Sequence, residues 1–325
     1  MNFIESIRRP IIDEMQLFDT TFANSLNTDN PLLQSINEYI QKKSGKQLRP
    51  MISILSAKIC GEVNQSTVFA ALSLELLHTA SLIHDDVVDD TSERRGMPSI
   101  NAHWNNKIAI LSGDYMLSKS LQCANETNSL PILKLISNIG MELADGELLQ
   151  LANPVPSKTT EEYYFNIIRK KTAYLFGTCT QVGALSVNVE LDKLEHLKNF
   201  GIYLGICFQI KDDIFDYYEN IEIGKPTGND IRDGKVTLPL ILALQNSTES
   251  EEKDTIIKWL DNKELTTENV ESITQFTHKQ GGIAKALEAM ELYKNKAIEE
   301  LNGFTDSTIK NALIMCAEFA AFRNN

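Results

Sequence analysis

Two short acidic segments of this sequence share one pattern of aspartates. Residues 85–89 read DDVVD and residues 212–216 read DDIFD. In a helix, carboxylates at positions i, i+1 and i+4 project from one turn, so each segment presents a compact negative cluster. Facing clusters of this kind repel each other unless cations lie between them, and Mg²⁺ is usually held by a few carboxylates together with substrate phosphates. The two segments therefore predict a site that holds a diphosphate through metal ions.

A single acidic helical turn is more often a solvated surface, so the surroundings of each segment matter. Leu82 and Ile83 precede the first segment. Phe208, Ile214 and Phe215 surround the aspartates of the second. Burying an unpaired charge costs on the order of several kcal/mol, so carboxylates in apolar sequence generally have a cationic partner or a metal. With two copies of one pattern, we favour the metal site over a surface role.

The rest of the chain has to supply helices that bring these segments together. Apolar residues recur at spacings of three and four, as at Leu72, Leu76 and Ala80, and sustained strand alternation is scarce. Glycine, proline and asparagine divide the chain into roughly ten or more helices, without a composition break between domains. Residues 224–234 predict a functional loop after the second segment. The pattern predicts an all-α, single-domain helical bundle over residues 1–325, with both acidic helices facing a central cavity.

Composition excludes several classes of protein. The 325 residues are 42% hydrophobic and 23% charged, as in soluble globular proteins. A net charge of −13 argues against a nucleic-acid partner. The N-terminus lacks the pattern of a signal peptide, and no run approaches the ~20 apolar residues of a membrane-spanning helix. The five cysteines are scattered and indicate reduced core residues. We therefore expect a cytoplasmic protein that does not span a membrane.

Basic residues must accompany the acidic segments if a diphosphate is to bind. Lys46 and Arg49 stand at a predicted loop-to-helix junction, where arginine can bind phosphate through two hydrogen bonds. Arg94 and Arg95 follow the first acidic segment, and we expect its helix to continue until Gly96. Taken singly, either pair is more often a surface charge than a ligand.

Further donors complete the candidate site. His78 lies about two helical turns before Asp85 and so on the same face, although a lone histidine in an apolar helix is usually a core residue. The other candidate donors are Lys171, Thr172, Gln209, Lys225 and Lys235. Together with the basic pairs, these residues favour a binding site for diphosphate anions.

These motifs resemble those of the all-trans prenyl diphosphate synthases, also called polyprenyl synthetases, over nearly the full chain. LLHTASLIHDDVVDD at 76–90, followed by RRG at 94–96, is similar to the first aspartate-rich motif of that family. GICFQIKDDIFDY at 205–217 is similar to the second, and GKPTGNDIRDGKVTLPLI at 224–241 is typical of the segment after it. The first basic motif is SGKQLRP, where the family commonly has GGKRLRP. The resemblance implies the isoprenoid synthase type I fold and a homodimer.

The resemblance also implies a role for each matched residue. About three Mg²⁺ ions would be bound, with Asp85, Asp89 and Asp212 as their direct ligands. The other aspartates, Asp86, Asp213 and Asp216, would bind the ions directly or through water. Isopentenyl diphosphate would be bound without metal by Lys46, Arg49, His78 and Arg95. The allylic diphosphate would be bound by Arg94, Lys171, Thr172, Gln209, Lys225 and Lys235. The role of Arg323, the basic residue left in the C-terminal tail, stays open.

The implied reaction adds isopentenyl diphosphate head-to-tail to an allylic prenyl diphosphate. In the family, bulky aromatic residues four and five positions before the first aspartate often limit the product to a short chain. Here these positions are Ser81 and Ala80, and Leu77 and Leu74 follow on the same side of the helix. We therefore expect a product of about C30 to C50, octaprenyl-like, of the kind used in quinone side chains.

Three alternatives stay open. A short-chain farnesyl or geranylgeranyl diphosphate synthase would need a deeper residue that closes the tunnel. A head-to-head or cyclising isoprenoid enzyme should lack the metal-free diphosphate site predicted around Lys46 and Arg49. A non-catalytic subunit of a heteromeric synthase typically loses aspartates from its motifs, whereas all six are present here.

Overall fold

The computed structural model describes residues 3–42, 45–94, 96–152, 155–218 and 228–323. Within these ranges the chain is almost entirely helical, which confirms the predicted all-α class. The α-helices are α1 (Phe3–Arg8), α2 (Ile12–Ser25), α3 (Pro31–Lys42), α4 (Leu48–Lys58), α5 (Gln65–Val88), α6 (Ile100–His103), α7 (Asn106–Glu126), α8 (Leu130–Leu151), α9 (Glu161–Ile168), α10 (Tyr174–Ser186), α11 (Leu191–Phe215), α12 (Asn229–Arg232), α13 (Leu238–Asn246), α14 (Glu251–Asn262), α15 (Thr267–Lys279), α16 (Gly282–Glu299) and α17 (Thr308–Phe322).

Short irregular elements join some of these helices. Single 3₁₀ turns lie at Arg9–Ile11 and Pro156–Lys158, and a π-helical turn, Arg169–Ala173, joins α9 to α10. A small antiparallel hairpin is formed by β1 (Glu93–Arg94) and β2 (Met97–Pro98). The hairpin follows α5, and the π-helical turn follows α9.

The helix of the first acidic segment is shorter than the sequence predicts. We expected it to continue to Gly96, but α5 ends inside the acidic segment. Asp90 has φ of 49°, a left-handed conformation that turns the chain away from the helix axis. The backbone N–H of Thr91 donates to the carbonyl oxygen of Asp86 at 2.9 Å and closes this turn. Arg94 therefore lies in a hairpin and not on the helix.

The core is one continuous hydrophobic cluster that extends along the described chain from Ile7 to Ala321. Its central helices approach one another closely where they carry glycine. A Cβ atom added to Gly201 on α11 would lie 2.6 Å from the carbonyl oxygen of Phe176 on α10. Such a contact is shorter than real Cβ atoms make, so only glycine permits this packing. The crossing fixes α11, and with it the second acidic segment, against α10.

Helix α5 is the one helix among the described ranges that is long and apolar enough to cross a membrane by length and composition. We predicted no such run. Its most apolar window has a mean hydropathy of 1.4, and 61% of that window is buried inside the protein. The helix is apolar because it packs in the centre of the bundle, and its last turn carries the first acidic segment.

Candidate active site

A cavity of about 1370 Å³ lies in the centre of the bundle and is lined by residues of both acidic segments. Its polar part combines the aspartates with basic and amide side chains, and its apolar part continues along α5, α7 and α8. The predicted residues that line it are Arg49, Leu77, His78, Ala80, Ser81, Asp85, Asp89, Arg94, Lys171, Thr172, Gln209, Asp212, Asp213 and Lys235.

Three groups of predicted residues remain, and those that the structure describes do not line this cavity. Leu74 is fully buried within the core, and Asp86 lines a smaller cavity on the other side of α5. Lys46 and Asp216 interact with residues that line it, as described below. Arg95 and Lys225 lie outside the residues that the structure describes, as do Ser44 and most of the first half of the predicted loop 224–234.

The two neighbouring aspartates of the first segment have different surroundings. Asp85 lines the cavity, and burial together with the charge of Glu147 raises its pKa to about 6. Asp86 is buried and accepts a hydrogen bond from Nε of Arg94 at 2.6 Å. The ion pair holds the hairpin against the end of α5. Asp86 thereby positions Arg94, which lines the same cavity as Asp85.

The second segment also has a buried aspartate that holds its neighbours in place. The side chain of Asp213 is buried and accepts from the hydroxyl of Tyr164 at 2.5 Å and from the amide of Gln209 at 2.8 Å. The hydroxyl of Thr172 in turn donates to Oε1 of Gln209 at 2.8 Å. Burial and the charge of Asp230 raise the pKa of Asp213 well above its usual value. This hydrogen-bond chain links Thr172 and Gln209, both predicted substrate contacts, to the acidic helix.

The third aspartate of the second segment organises the loop that follows. Asp216 caps the end of α11, and its two carboxylate oxygens accept from the backbone N–H groups of Asn229 (2.9 Å) and Asp230 (3.0 Å). The N–H of Gly228 donates to the carbonyl oxygen of Asp216 at 2.8 Å. Gly228 has φ of 75°, which glycine adopts without strain. Asp216 therefore fixes the start of α12 and the chain that leads to Lys235.

Lys171 is presented by the π-helical turn, a form often found at functional sites. Its ammonium group pairs with Glu147 and donates to Oε1 of Gln150 at 3.1 Å. Gly146 on α8 makes room for this turn, because an added Cβ would lie 2.8 Å from Cβ of Lys170 and 2.9 Å from Cγ of Lys171. Sequence reasoning missed these partners on α8. The sequence pattern that could have indicated them is Glu147 and Gln150, three positions apart in an apolar helix and next to Gly146.

Three further cations lie near the second acidic segment. Arg323 donates to Oδ1 of Asp212 at 2.5 Å and stacks on the ring of Phe208, with its guanidinium carbon 3.5 Å from the ring centroid. Lys46 and Arg49 also act on Asp212, because burial raises the pKa of that carboxyl while the charges of Arg323, Arg49 and Lys46 lower it. Burial and the charge of Arg323 lower the pKa of Lys46. Arg323, Lys46 and Arg49 therefore form a basic cluster beside the second acidic segment.

The acidic donor set fits a divalent metal ion that is shared with a ligand. Among the residues that the structure describes, no three His, Cys, Asp or Glu side chains are grouped closely enough to hold a metal by themselves. Asp85, Asp89 and Asp212 line one cavity, and Mg²⁺ takes a few carboxylates and completes its coordination with water and phosphate. Oε1 of Glu147 is also buried without a hydrogen-bond partner. These groups fit an ion that binds together with a diphosphate.

The smaller cavity, of about 70 Å³, lies between α2, α3 and α5. His78 and Arg94 border both cavities. Gln47, which stands where the family commonly has a basic residue, is held on this side. Its side-chain amide donates to Oδ1 of Asp19 at 2.9 Å.

Comparison with known proteins identifies the family of the chain. Residues 30–277 match the family model described as polyprenyl synthetase. The chain is 33% identical to an all-trans-nonaprenyl-diphosphate synthase of Rhodobacter capsulatus and 32% identical to the octaprenyl diphosphate synthase of Escherichia coli, over 99% of both chains in each case.

Solved structures give the same result. A polyprenyl synthase from Caulobacter crescentus, complexed with calcium and isoprenyl diphosphate, superposes with a TM-score of 0.92 at 30% identity over 98% of both chains. A geranylgeranyl pyrophosphate synthase from Bacteroides thetaiotaomicron superposes with a TM-score of 0.86 at 41% identity over the whole of both chains. This chain therefore belongs to the polyprenyl synthetase family and is a trans-prenyltransferase.

Proposed function

We propose that this chain condenses isopentenyl diphosphate with an allylic prenyl diphosphate head-to-tail, with Mg²⁺ as its metal ion, to make an all-trans polyprenyl diphosphate. One observation carries the proposal. Both acidic segments and a separate set of basic residues line or border one end of a cavity that continues between apolar helices. A polar end for two diphosphates and an apolar end for a hydrocarbon chain are what this reaction needs.

The allylic substrate is bound at the acidic end. Asp85, Asp89 and Asp212 hold about three Mg²⁺ ions together with the allylic diphosphate, and the metal supplies positive charge for the departing diphosphate. The structure of the Caulobacter relative contains calcium with isoprenyl diphosphate, which supports a divalent ion here. Lys171 and Arg94, each held by a carboxylate, donate to the same diphosphate and stabilise the negative charge that grows on it. Lys225, Lys235, Thr172 and Gln209 complete this set.

The second substrate is bound at the basic cluster. Lys46, Arg49, His78 and Arg95 hold isopentenyl diphosphate without metal, because their charges match a diphosphate directly. The carbon to oxygen bond of the allylic substrate breaks, and the double bond of isopentenyl diphosphate attacks the allylic cation. A proton then passes to the departing diphosphate. The apolar wall, including Phe208 and Leu77, excludes water from the cation.

We propose a product of about C30 to C50, octaprenyl-like and suited to a quinone side chain. Ala80 and Ser81 line the cavity and leave it wide directly below the first acidic segment, and Leu77 follows. The volume of about 1370 Å³ also exceeds the roughly 300–1,000 Å³ of an ordinary small-molecule pocket. The named nonaprenyl and octaprenyl relatives agree with this length. A geranylgeranyl product is the second candidate, because the Bacteroides structure at 41% identity carries that title.

We also propose that the chain works as a homodimer of one-domain subunits in the cytoplasm. Large apolar side chains are exposed on α7 and α8, with Leu111 68%, Leu130 61% and Met141 64% exposed. Leu117, Leu121 and Met141 are exposed and also line the cavity. A second copy on this face would bury these side chains and close the cavity wall. Sedimentation of the wild type and Leu111→Glu tests this, with a dimer expected for the first and monomer for the second.

A heteromeric arrangement is the other assembly to test. The chain is 32% identical to heptaprenyl diphosphate synthase component 2 of Bacillus subtilis, over 96% of this chain and 88% of that one. Its name indicates a protein that works with another component. Because both acidic segments are complete here, we propose that this chain is active alone. Elongation by the purified chain separates the two arrangements.

The function is tested by removing one carboxylate from each segment. Asp85→Asn and Asp212→Asn should each lower the rate of isopentenyl diphosphate incorporation by at least about 100-fold, because each removes a charged oxygen from the metal site. Asp306→Asn is the matched control, since Asp306 pairs with Lys310 on the surface of the protein. Equal activity of all three variants would contradict a metal-dependent site at these segments.

A further inference from the structure

The C-terminal end of α14 reaches the central cavity and contributes a lysine to its lining. Lys263 follows the last residue of this helix and lines the same cavity as Asp85, Lys171 and Lys235. It comes from a helix outside both acidic motifs. Pro156 and Thr159, from the short segment before α9, line the cavity as well. Lys263 and the short segment before α9 therefore line a part of the cavity that lies outside both acidic helices.

The backbone at Lys263 is held in an uncommon conformation. Its φ is 55° and its ψ is 35°, in the left-handed region that lysine adopts only with strain. Two hydrogen bonds close the turn. The N–H of Lys263 donates to the carbonyl oxygen of Leu260 (3.3 Å), and the N–H of Glu264 donates to the carbonyl oxygen of Trp259 (2.9 Å). Glycine or asparagine would fit this position with less strain. A lysine here keeps a cation at the cavity in spite of that strain.

The end of α14 is also hydrogen-bonded to the short segment before α9. The carboxylate of Asp261 accepts from the backbone N–H of Ser157 at 3.1 Å and from its hydroxyl at 2.8 Å. Ser157 belongs to the 3₁₀ turn Pro156–Lys158. This pair of bonds fixes the turn that carries Lys263 relative to α9, whose Tyr164 contacts the second acidic segment.

The charge of Lys263 is not matched by a carboxylate in the described part of the chain. Three other cations of the lining have such partners: Lys171 pairs with Glu147, Lys235 with Asp233 at 3.1 Å, and Arg94 with Asp86. For Lys263, no Asp or Glu among the described residues lies within ion-pair distance. Its side chain is exposed and so keeps its ammonium group in water, where an incoming anion can meet it.

We propose that Lys263 binds the diphosphate group of the allylic substrate as it enters the cavity, and so sets the affinity and entry rate of that substrate. This rests on the proposed function. The chain carries a net charge of −13, and the cavity itself holds several aspartates, so a diphosphate approaches against repulsion. A cation in the lining reduces that repulsion and raises the local concentration of the anion.

The test compares Lys263→Gln with Lys258→Gln, an exposed lysine of the same helix that does not line the cavity. At low ionic strength, Lys263→Gln should lower kcat/KM for the allylic diphosphate about fivefold and leave kcat and the KM for isopentenyl diphosphate unchanged. The difference should close near 0.5 M salt, and Lys263→Arg should restore the wild-type value. Lys258→Gln should behave as the wild type.

A binding measurement separates this proposal from the proposed function. Inorganic diphosphate with Mg²⁺ is titrated into each variant by calorimetry, which needs no turnover. Weaker binding by Lys263→Gln, about threefold or more, supports the contact even if the wild type elongates no primer, a result that would overturn the proposed function alone. Equal binding by the two glutamine variants, or an equal fall of kcat/KM in both, would overturn the role of Lys263.

Discussion

Arg323 and Asp212 form an ion pair at 2.5 Å that joins the C-terminal end of the chain to the second acidic segment. The guanidinium also donates to the carbonyl oxygen of Phe208 at 3.0 Å and stacks on its ring. The side chain of Arg323 is only 9% exposed, and that of Asp212 is 43% exposed. One side chain therefore ties the end of α17 to a carboxylate that lines the cavity.

The strength of this pair can be measured with a double-mutant cycle. Arg323→Gln should lower the free energy of unfolding by about 1–3 kcal/mol, because it leaves Asp212 without its nearest cation. The double variant Arg323→Gln/Asp212→Asn should lose less free energy of unfolding than the sum of the two single losses, by about 1 kcal/mol or more. Urea unfolding in the presence of a chelator gives all four values. Strictly additive losses would show that the two side chains do not interact in solution.

Gly146 is predicted to be essential for the position of Lys171. In Gly146→Ala, the new methyl group would clash with Lys170 and Lys171 and displace the π-helical turn. We expect kcat to fall at least about tenfold, because misplacing a contact to the leaving group by about 1 Å costs that much or more. Gly303→Ala is the control, since an added Cβ there has no atom within 4 Å. Wild-type kcat in Gly146→Ala would refute the proposed positioning of Lys171.

The length of the product should depend on the side chain at position 81. A phenylalanine in place of Ser81 would project into the cavity below the first acidic segment, so the growing chain would stop earlier by several C5 units, while the first condensation continues. Ser272→Phe, on the exposed face of α15, should leave the product unchanged. Chromatography of the dephosphorylated products measures both. The tunnel would have to run elsewhere if Ser81→Phe made the wild-type product.

The raised pKa of Asp85 predicts a pH dependence of stability. Burial raises this pKa from 3.8 to about 6, so the folded protein binds the proton more tightly than the unfolded chain between these values. Stability with a chelator present should therefore fall as pH rises from about 4 to 6. Asp85→Asn should make this fall smaller and should be more stable than the wild type above pH 6, by on the order of 1–3 kcal/mol. Melting curves of both proteins from pH 4 to 8 test this, and parallel profiles would contradict it.

The acidic segments, the basic residues and the apolar spacing are local patterns, so the sequence predicts the helical class and a set of site residues most of which line the cavity. Where Arg94 would lie was not predictable, because the turn at Asp90 depends on a left-handed conformation that no glycine marks. Tyr164 and Glu147 were missed, and the role of Arg323 stayed open, for a different reason. Each meets the site through tertiary packing, from a helix distant in sequence, and nothing in its own neighbours indicates that contact.

Elongation of an allylic diphosphate by this chain alone can be measured directly. Purified protein is incubated with Mg²⁺, labelled isopentenyl diphosphate and farnesyl diphosphate, and the dephosphorylated products are separated by length. We predict a ladder that ends between about C30 and C50 and that disappears when the metal is chelated. A ladder that stops at C15 or C20, also with shorter primers, would contradict the proposed product, and no elongation with any primer would contradict the proposed reaction of the isolated chain.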